Sequence, residues 1–515
     1  MPLKFGAGDT IRCFSLVTLS IFFLPFSILL VIFCFILSLI PYYDPRHPSK
    51  DTTQEECVQE TVLVTGVGMA KGLTLARAFY ASGHRVIGAD IDDPHIPCPG
   101  RYSRSLSAFY RLPKSTGKDG PDDYIRELIN IVNIENVKLW VSCSGVTNAV
   151  QDAQAKESIE KRTLCKCIQF DVQTTSTLHD KGSFMDECKK LDLPIPETYE
   201  VRSKYDTFRI LSGCVTSNPD RRYILKPVGM DDIHRGNMTI LPLESEEETK
   251  HHISQLPISD SNPWILQQYI PGGKEYCTHA LVIGGIVKCF LACPSSEFLM
   301  NYELLQDSAL WKAMLMFTIE FVQRSPRPEA MTGHLSFDFM TSEESVHYGG
   351  FRRNIYAIEC NPRAHTAAVL FGHGSPEAQD MVQAYIDAIN VKRKMFITDD
   401  LLSDEVLLLS AEEKVVMPSE NMHPRYWIGH DLVSLLLYPL YHWCIGSIDS
   451  RTAISNVLEF VSHMLLWKEG TFEVWDPLPA FSLYHIYWPM KLVTSWWNGN
   501  RWSRINVSTT KIFAC

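Results

Sequence analysis

The sequence predicts an α/β protein with a membrane-spanning helix at its N-terminus. Three observations predict this: an apolar stretch without charges, a segment in which strands and amphipathic helices alternate, and a longer region dominated by short strands. The chain has 515 residues, of which 45% are hydrophobic and 21% are charged. This length and composition are sufficient for several hydrophobic cores, in roughly three folded units of about 150 residues each.

The charge balance and the cysteines exclude two kinds of site. A formal net charge of -11 at pH 7 would repel a phosphate backbone, and the sequence has no dense stripe of Lys and Arg, so nucleic acid is not an expected partner. The 15 cysteines are scattered, without the repeated Cys-x-x-Cys pairs that would hold zinc. Most are expected to be free thiols in a domain that faces the cytosol.

Residues 1–60 are interpreted as a membrane anchor and a linker. The uncharged stretch between Cys13 and Ile40 exceeds the roughly 20 residues that a helix needs to cross the hydrocarbon core. A cleaved signal peptide has a shorter apolar region of about 7 to 15 residues, so an uncleaved single-pass anchor is expected. The basic residues on the two sides of this stretch are nearly balanced, and charge therefore does not fix its orientation.

Residues 61–150 are predicted to form a Rossmann-like domain. The segment TVLVTGVGMAKGLTLARAFYASGHRVIGADID has the pattern of a strand, a glycine turn, an amphipathic helix and a second strand. Another helix is expected from about Asp122 to Val132, and the apolar run KLWVSCSG after it continues the alternation of a parallel sheet.

The glycine turn of this domain allows two interpretations. Gly66, Gly68 and Gly72 can place amide groups at a helix N-terminus, where they favour a phosphate, and Asp90 ends the second strand as a ribose-binding acid would. A membrane-bound NAD(P)-dependent short-chain reductase would use both features. Such a reductase requires a Tyr-x-x-x-Lys pair on a helix downstream, and the next stretch of sequence has no such pair on a predicted helix, which favours a structural βαβ domain.

Residues 151–390 contain short, mostly antiparallel strands and three basic residues suited to phosphate binding. Lys181 begins a helix that leads to a proline-rich turn, and Lys226 lies on the strand RYILKPV, where its ammonium could point at phosphates. Arg235 belongs to a polar turn that could close over phosphates. Taken alone, either lysine is more often a solvated surface charge, and the turn at Arg235 could be an ordinary hairpin.

The strand WILQQYI and the bend after it form a second candidate contact for a nucleotide. Gln267 lies on the strand, and the backbone of Gln268, Tyr269 and Ile270 could pair with a nucleotide base. Glu275 could reach a ribose or a nearby lysine, or it could be a plain surface acid.

Two predicted strands carry candidate metal ligands. In GHLSFDFMT the alternation of a strand puts the Asp338 side chain on one face and the side chains of the neighbouring phenylalanines on the other face. In YAIECNPRAH the same alternation groups Ala357, Glu359 and Asn361 on one face. Mg²⁺, or Mn²⁺, takes oxygen ligands of this kind and keeps waters and substrate phosphates. The alternative is that these acids face water on an exposed sheet, but Arg363 directly after them supplies a cation for a carboxylate or an acyl-phosphate.

These motifs, in this order, resemble the ATP-grasp superfamily of ligases. The resemblance covers roughly residues 62–390, and its most specific part is IECNPRAH. It implies a pre-ATP-grasp domain, an ATP-grasp domain over residues 151–390, Lys181 and Lys226 on the ATP phosphates, and Arg363 at the reacting centre. It also implies magnesium on the three oxygen ligands. Two departures concern the nucleotide: the glycine-rich loop is reduced to HRGN, and Gln267-Gln268 stands where many members have an acidic pair.

The resemblance implies an ADP-forming enzyme that phosphorylates a carboxylate or a vinylogous acid and joins it to an amine. Because such a domain consumes ATP, it is expected to face the cytosol. A narrower resemblance to mycosporine-glycine synthase-like ligases, in RGNMTIL, IECNPRAHTA and DPLPAFSLYHIYWP, implies secondary metabolism in which glycine is joined to a cyclohexenone such as 4-deoxygadusol. The alternatives are the reductase and an ATP-grasp scaffold that has lost activity.

Residues 391–515 form an unusually aromatic C-terminal extension. Its tryptophans and tyrosines near basic residues suit a membrane interface, and a packed extension of the catalytic domain is the alternative. The sequons at Asn237 and Asn506 are interpreted as chance occurrences.

Overall fold

The chain begins with one long helix, α1 (Ala7–Leu37), in a computed structural model that describes residues 7–40, 44–46, 58–115, 120–228, 238–295, 300–346, 350–390 and 415–514. The part of this helix from Thr10 to Leu37 has the length and composition of a membrane span, and a signal sequence would meet the same criterion. The apolar helix predicted from the sequence is therefore present.

A parallel sheet of five strands follows, in the order β3-β2-β1-β4-β5. Its elements are β1 (Thr61–Thr65), α2 (Ala70–Ala81), β2 (Arg85–Ile91), β3 (Ala108–Leu112), α3 (Gly120–Ile134), β4 (Leu139–Ser142), α4 (Ala149–Arg162) and β5 (Lys166–Ile168). Alternate residues of β1 enter two different cores, because helices cover both faces of a parallel sheet. The predicted βαβ unit and the next helix are confirmed. The sheet continues past residue 150, where the sequence analysis places its end.

Two antiparallel sheets make up the middle of the chain. A three-stranded sheet has the order β6-β8-β7, and a four-stranded sheet has the order β10-β9-β11-β12. Their strands are β6 (Thr198–Val201), β7 (Tyr223–Pro227), β8 (Trp264–Gln268), β9 (Glu275–Ile283), β10 (Ile286–Pro294), β11 (Gly333–Val346) and β12 (Gly350–Asn361). The helices of this region are α5 (Val172–His179), α6 (Lys181–Lys190), α7 (Lys204–Ser217), α8 (Glu246–Gln255), α9 (Ser308–Arg324) and α10 (Pro376–Asn390).

Aromatic side chains pack α6 and α9 against one face of the four-stranded sheet. The ring of Phe184 on α6 lies 5.8 Å from that of Phe337 on β11, and Phe317 and Phe321 of α9 contact the same ring edge to face. All four side chains are almost fully buried. Since Phe184 follows Lys181 by one helical turn and Phe337 precedes Asp338, this core sets the position of the lysine relative to the carboxylate.

The C-terminal extension contains short helices and two small strand pairs. Its elements are β13 (Arg425–Tyr426), α11 (Ile428–Asp431) with a π-helical continuation (Leu432–Leu437), α12 (Tyr438–Cys444), α13 (Ser450–Leu466), β14 (Lys468–Glu469), α14 (Leu478–Ser482) with a π-helical continuation (Leu483–Tyr487), α15 (Trp488–Trp497), β15 (Trp502–Asn506) and β16 (Lys511–Ala514). Helix α1 packs against α15, where the Arg12 guanidinium lies 3.8 Å from the ring centroid of Trp502.

A buried ion pair joins this extension to the parallel-sheet domain. The Arg77 guanidinium on α2 donates to the Asp476 carboxylate at 2.9 Å and to the Thr471 carbonyl at 2.8 Å. The same carboxylate accepts hydrogen bonds from the Ser103 hydroxyl and the Arg104 amide. The Arg77 and Asp476 side chains are 3% and 0% exposed, so every bond of this network is shielded from water. The extension is therefore packed on the rest of the protein.

The helices of the extension also present apolar side chains to the outside. Such residues, each at least 40% exposed, occur on α12, α13 and α15 and include Tyr441, Leu458, Leu465 and Trp497. A soluble surface rarely carries so many large apolar side chains on neighbouring helices. The extension thus combines a packed face with an apolar outer face.

We expect Asp476→Ala to lower the free energy of unfolding by about 3–5 kcal/mol, because it leaves the Arg77 guanidinium buried without its counter-ion. Glu320→Ala is the matched control, since it removes a half-exposed partner of Arg324 and should cost less than about 1 kcal/mol. The midpoints of denaturant unfolding measure both. Equal shifts in the two variants would contradict a stabilising role for the buried pair.

Candidate functional site

The three predicted oxygen ligands lie together on one face of the four-stranded sheet. In the antiparallel pairing of β11 with β12, Asp338 is opposite Glu359, and Ser336 is opposite Asn361. Residues directly opposite each other in an antiparallel pair have neighbouring side chains on the same face. The structure therefore brings Asp338, Glu359 and Asn361 together.

A β-bulge next to these residues corrects one detail of the sequence analysis. The pairing passes from Asp338 opposite Glu359 to Phe339 opposite Ala357, so Ile358 is an extra residue on β12. A bulge shifts the side-chain alternation by one residue. The predicted grouping of Ala357 with Glu359 is consequently wrong: Ala357 is fully buried in the same core as Phe339 and Cys360.

Two basic side chains connect to this group. The Lys181 ammonium lies 3.1 Å from a Glu359 carboxylate oxygen, and the Arg363 guanidinium donates to the Asn361 amide oxygen at 2.8 Å. The Asn361 NH₂ group in turn donates to the Asp338 carboxylate at 3.3 Å. These five predicted site residues thus form a single cluster, which consists of four charged side chains and one amide. We call it the β11–β12 cluster.

The chain places Lys181 in this cluster through helix capping. Asp180 is the N-cap of α6, and its carboxylate accepts a hydrogen bond from the Ser183 amide at 2.8 Å. Lys181 is then the first residue of the helix, as predicted, and its side chain is only 17% exposed.

Lys226 lies on the other antiparallel sheet. Its ammonium donates to the Gln267 amide oxygen at 3.1 Å, across the β7–β8 pair, and the Gln267 NH₂ group donates to the Thr198 hydroxyl at 3.3 Å. Gln267 is thereby held as a buried side chain that orients the lysine. Arg235, the third predicted phosphate contact, lies outside the described residues.

The predicted base-pairing backbone is partly engaged within the protein. The Gln268 amide donates to the Glu197 carbonyl at 2.8 Å, and the Tyr269 amide donates to the Arg222 carbonyl at 2.7 Å. These two amides are therefore not available to a nucleotide base. Ile270, directly after them, is a buried residue.

A cavity of 320 Å³ opens beside Asp338, and we call it the polar cavity. It is lined by Glu275, Cys277, Ser295, Met300, Asn301, Tyr302, Asp338, His365, His430, Arg504, Ile505, Asn506 and Phe513. Glu275 accepts a hydrogen bond from the Ser295 hydroxyl at 3.2 Å and faces this cavity, so it is not a plain surface acid. The extension supplies the remainder of the wall, which the sequence analysis missed because its residues share no fixed spacing.

A buried lysine that the sequence analysis did not consider supports the loop after β12. The Lys71 ammonium on α2 donates to the Ala364 carbonyl at 2.7 Å and to the Ser144 carbonyl at 3.3 Å, and the residue is 1% exposed. Burial, and then the nearby charge of Arg363, lower the pKa of Lys71 to about 7. Its only signal in the sequence is a lysine in the first turn of a helix that is otherwise apolar there.

Neutral histidines lie beneath the same loop. Burial lowers the pKa of His279 to about 3, and burial together with the Arg363 charge lowers the pKa of His365 well below its usual range. The His365 amide donates to the His279 Nδ1 atom at 3.3 Å, which fixes that nitrogen as an acceptor. These histidines therefore add no positive charge to the loop, in contrast to Lys181 and Arg363, whose basic side chains contact the β11–β12 cluster.

The glycine turn is filled by the chain itself. The Gly68 amide donates to the Asp90 carboxylate at 2.7 Å, and the Ala70 amide at the start of α2 donates to the Ser508 carbonyl at 2.9 Å. Gly100 packs so closely over the turn that a Cβ atom there would lie 2.0 Å from the Val67 carbonyl oxygen. Amides that a dinucleotide phosphate would need are thus already bonded, which argues against the reductase interpretation.

Comparison with known proteins gives similarities in structure only. Neither a family model nor a curated protein matches the chain. A solved N5-carboxyaminoimidazole ribonucleotide synthetase in complex with ADP is similar at 13% identity and a TM-score of 0.43, over 62% of this chain and 74% of that one.

Two further solved structures give similarities of the same order. They are biotin carboxylase from Campylobacter jejuni (13% identity, TM-score 0.44, 66% of this chain and 72% of that one) and L-amino acid ligase from Bacillus licheniformis (11%, 0.38, 60% and 68%). These values establish neither a shared family nor a shared activity.

We expect the free energy of unfolding of the wild-type protein, minus that of the Lys71→Met variant, to increase as the pH rises above 7. The folded-state pKa of Lys71 is about 7 and its ordinary value is 10.5, so between these values the unfolded chain binds more protons than the folded chain. The difference should grow by at most about 1.4 kcal/mol per pH unit. Denaturant midpoints of both proteins at pH 7 and about pH 9 measure it. A difference that does not change with pH would contradict the depressed pKa.

Proposed function

We propose that the chain is an ATP- and Mg²⁺-dependent ligase. It activates a carboxylate or a vinylogous acid by phosphorylation, with release of ADP, and joins the activated acid to an amine. The observation that carries this proposal is the β11–β12 cluster, in which two opposed carboxylates and an amide are linked to Lys181 and Arg363.

The donor set of the cluster fits Mg²⁺ or Mn²⁺. Asp338, Glu359 and Asn361 offer hard oxygen atoms, and a divalent cation of this type completes its shell with water and phosphate oxygens. Among the residues that the structure describes, no group of three or more His, Cys, Asp or Glu side chains could hold a metal ion; the proposed site instead combines two carboxylates with one amide. When bound, the ion would neutralise negative charge on the transferring phosphoryl group.

The chain's own basic residues have separate tasks in this proposal. Lys181 would exchange its contact with Glu359 for a phosphate oxygen, and Lys226, held by Gln267, would bind the phosphates from the other antiparallel sheet. Arg363 would hold the acyl-phosphate while an amine approaches. Catalysis would then be largely positioning and electrostatic stabilisation.

The identity of the acid and the amine belongs to the finer part of the proposal. The narrower resemblance supports glycine and a cyclohexenone as one pair, and we include this pair among the substrates to be tested. The reductase alternative requires a phosphate at the glycine turn, whose amides bond to Asp90 and Ser508. An inactive scaffold would retain the fold without binding Mg-ATP productively.

We also propose that α1 anchors the protein to a membrane, with the ligase domain in the cytosol. The helix has the length of a span, and the exposed apolar residues of α12, α13 and α15 belong to the extension that packs against it. ATP consumption supports the cytosolic orientation.

We expect Mg-ATP to raise the thermal midpoint of the full-length protein and this increase to disappear in the double variant Asp338→Ala, Glu359→Ala. At a ligand concentration about 100 times Kd, binding stabilises the folded state by about 2.7 kcal/mol. Thermal shift measurements with Mg-ATP and with NADPH on detergent-solubilised protein test this.

The matched control for this experiment is the double variant Asp186→Ala, Glu329→Ala. It removes the same formal charge from two exposed positions and should keep the Mg-ATP shift. A shift with NADPH alone, or an Mg-ATP shift that survives loss of both cluster carboxylates, would contradict the proposal. Release of phosphate that depends on both an acid and an amine would extend it from binding to catalysis.

We expect the double variant Phe22→Lys, Leu29→Lys to appear in the supernatant after alkaline extraction of membranes, whereas the wild type stays in the pellet. Each lysine at the centre of a span costs about 2.5–3.5 kcal/mol on insertion scales. Val58→Lys, Leu164→Lys is the control, because it adds the same charges at exposed apolar positions outside α1. Identical fractionation of the two variants would count against α1 as the anchor.

A further inference from the structure

A second cavity, of 400 Å³, lies between α1 and the C-terminal extension, and we call it the apolar cavity. It is lined by residues of α1, among them Leu16 and Phe23, and by residues of the extension, among them Leu432, Val433, Phe460 and Trp488. Its volume lies within the range of about 300–1,000 Å³ that is typical of small-molecule sites. No function described above uses it.

The polar side chains of the apolar cavity are bonded to one another or to neighbouring groups. The Ser20 hydroxyl donates to the Tyr484 carbonyl at 2.9 Å, and the Ser27 hydroxyl lies 2.7 Å from the His485 Nε2 atom. The Tyr484 hydroxyl donates to the Glu469 carboxylate at 2.6 Å. Asp, Glu, Lys and Arg are absent from the lining among the residues that the structure describes, and its one histidine, His485, bonds to Ser27, so an occupant would meet a largely apolar surface.

The apolar and polar cavities share a wall. Ile505 on β15 lines both of them, and its neighbours Arg504 and Asn506 line the polar cavity. On the adjoining segment Gly429 lines the apolar cavity and His430 lines the polar one. On both segments, therefore, adjacent residues line the apolar cavity and the polar cavity, which contains Asp338 of the candidate active site.

The charges in the polar cavity are divided between its two sides. Glu275 and Asp338 are on the sheet side, whereas Arg504 is on the extension side, next to Ile505 of the shared wall. The Arg504 guanidinium is held 4.5 Å from the ring centroid of Phe513. An anionic group that lies next to Ile505 would thus have the guanidinium of the adjacent Arg504 as a partner of opposite charge.

We propose that the acid substrate is a long-chain carboxylate, with its chain in the apolar cavity and its carboxylate in the polar cavity. This inference rests on the proposed ligase function. Since α1 forms one wall of the apolar cavity, the chain enters from the bilayer that α1 occupies.

The proposed reaction has two steps. A carboxylate oxygen attacks the γ-phosphorus of ATP, and the bond from that phosphorus to ADP breaks. The nitrogen of a primary amine then attacks the acyl carbon, the bond from that carbon to the phosphate oxygen breaks, and the nitrogen loses a proton. The products are an N-acyl amide, ADP and inorganic phosphate.

A photoactivatable fatty acid with a diazirine near its methyl end tests the occupant. The probe is added to full-length protein in phosphatidylcholine nanodiscs, and the labelled residues are mapped by mass spectrometry. We expect saturable labelling of cavity residues such as Phe23 and Val433, which an excess of unlabelled fatty acid displaces. Labelling that is equal on the outward residues Phe22 and Leu29, or that is not displaced, would overturn the proposal.

Two variants on the same short helical segment separate the cavity from general lipid contact. Leu432→Trp fills the apolar cavity and should lower the saturable labelling about tenfold. Leu437→Trp is the matched control, because Leu437 is 41% exposed and is not one of the described residues that line the cavity. This variant should be labelled to the same extent as the wild type. Equal labelling of the two variants would overturn the proposal.

A chain-length series on the unmodified protein gives a second measurement that does not depend on a variant. With Mg-ATP and a mixture of amines, the KM for straight-chain carboxylates should fall roughly fourfold for each added methylene until the cavity is full. Phosphate release with a KM that does not depend on chain length would overturn the inference and leave the ligase proposal intact. Saturable labelling without phosphate release for any acid would overturn the ligase proposal and the substrate role together.

Discussion

The pairing of β11 with β12 is the constraint on which the candidate site depends. It places Asp338 opposite Glu359. The bulge at Ile358 shifts the side-chain alternation of β12, so that Ala357 faces the core while Glu359 faces outward. Lys181 reaches this pair because the ring of Phe184 packs on Phe337 of the same strand. The acid pair, its counter-ion and the core beneath them therefore depend on one another, and a shift of either strand by one residue would turn its carboxylate into the aromatic core.

The C-terminal extension belongs to this unit. Buried charges connect it to the parallel-sheet domain through Arg77 and Asp476, and β15 covers the side of the polar cavity that faces Asp338. Lys71 makes a second connection, from α2 to the loop after β12. The glycine turn, which in dinucleotide-binding proteins receives a phosphate, here receives the Ser508 carbonyl of the extension. The parallel-sheet domain thus contacts both the loop after β12 and the C-terminal extension, which lines the polar cavity.

The sequence predicted those features that depend on local periodicity. The βαβ unit, the helix at Lys181 and the common face of Asp338, Glu359 and Asn361 follow from strand and helix repeats, and the structure has all of them. The bulge at Ile358 was not predictable, because it depends on which residue of β11 pairs with which residue of β12. The buried role of Lys71 and the cavity wall at Arg504 were missed because both depend on contacts between segments far apart in the sequence. Short strands such as β5, with three residues, carry too little pattern to be recognised.

The packing of α1 on the C-terminal extension has a consequence for synthesis. Thr10, Arg12 and Cys13 of α1 bond to groups between Leu492 and Trp502, and the first turn of α2 is completed by Ser508. During translation the N-terminal part of a chain emerges first and domains generally fold in that order. Here α1 and the βαβ unit of the parallel sheet obtain their final neighbours only after residues 492–508 have been synthesised. A chain that stops before residue 492 would therefore lack the groups that bond to Arg12 and Cys13 of α1 and to the Ala70 amide at the start of α2.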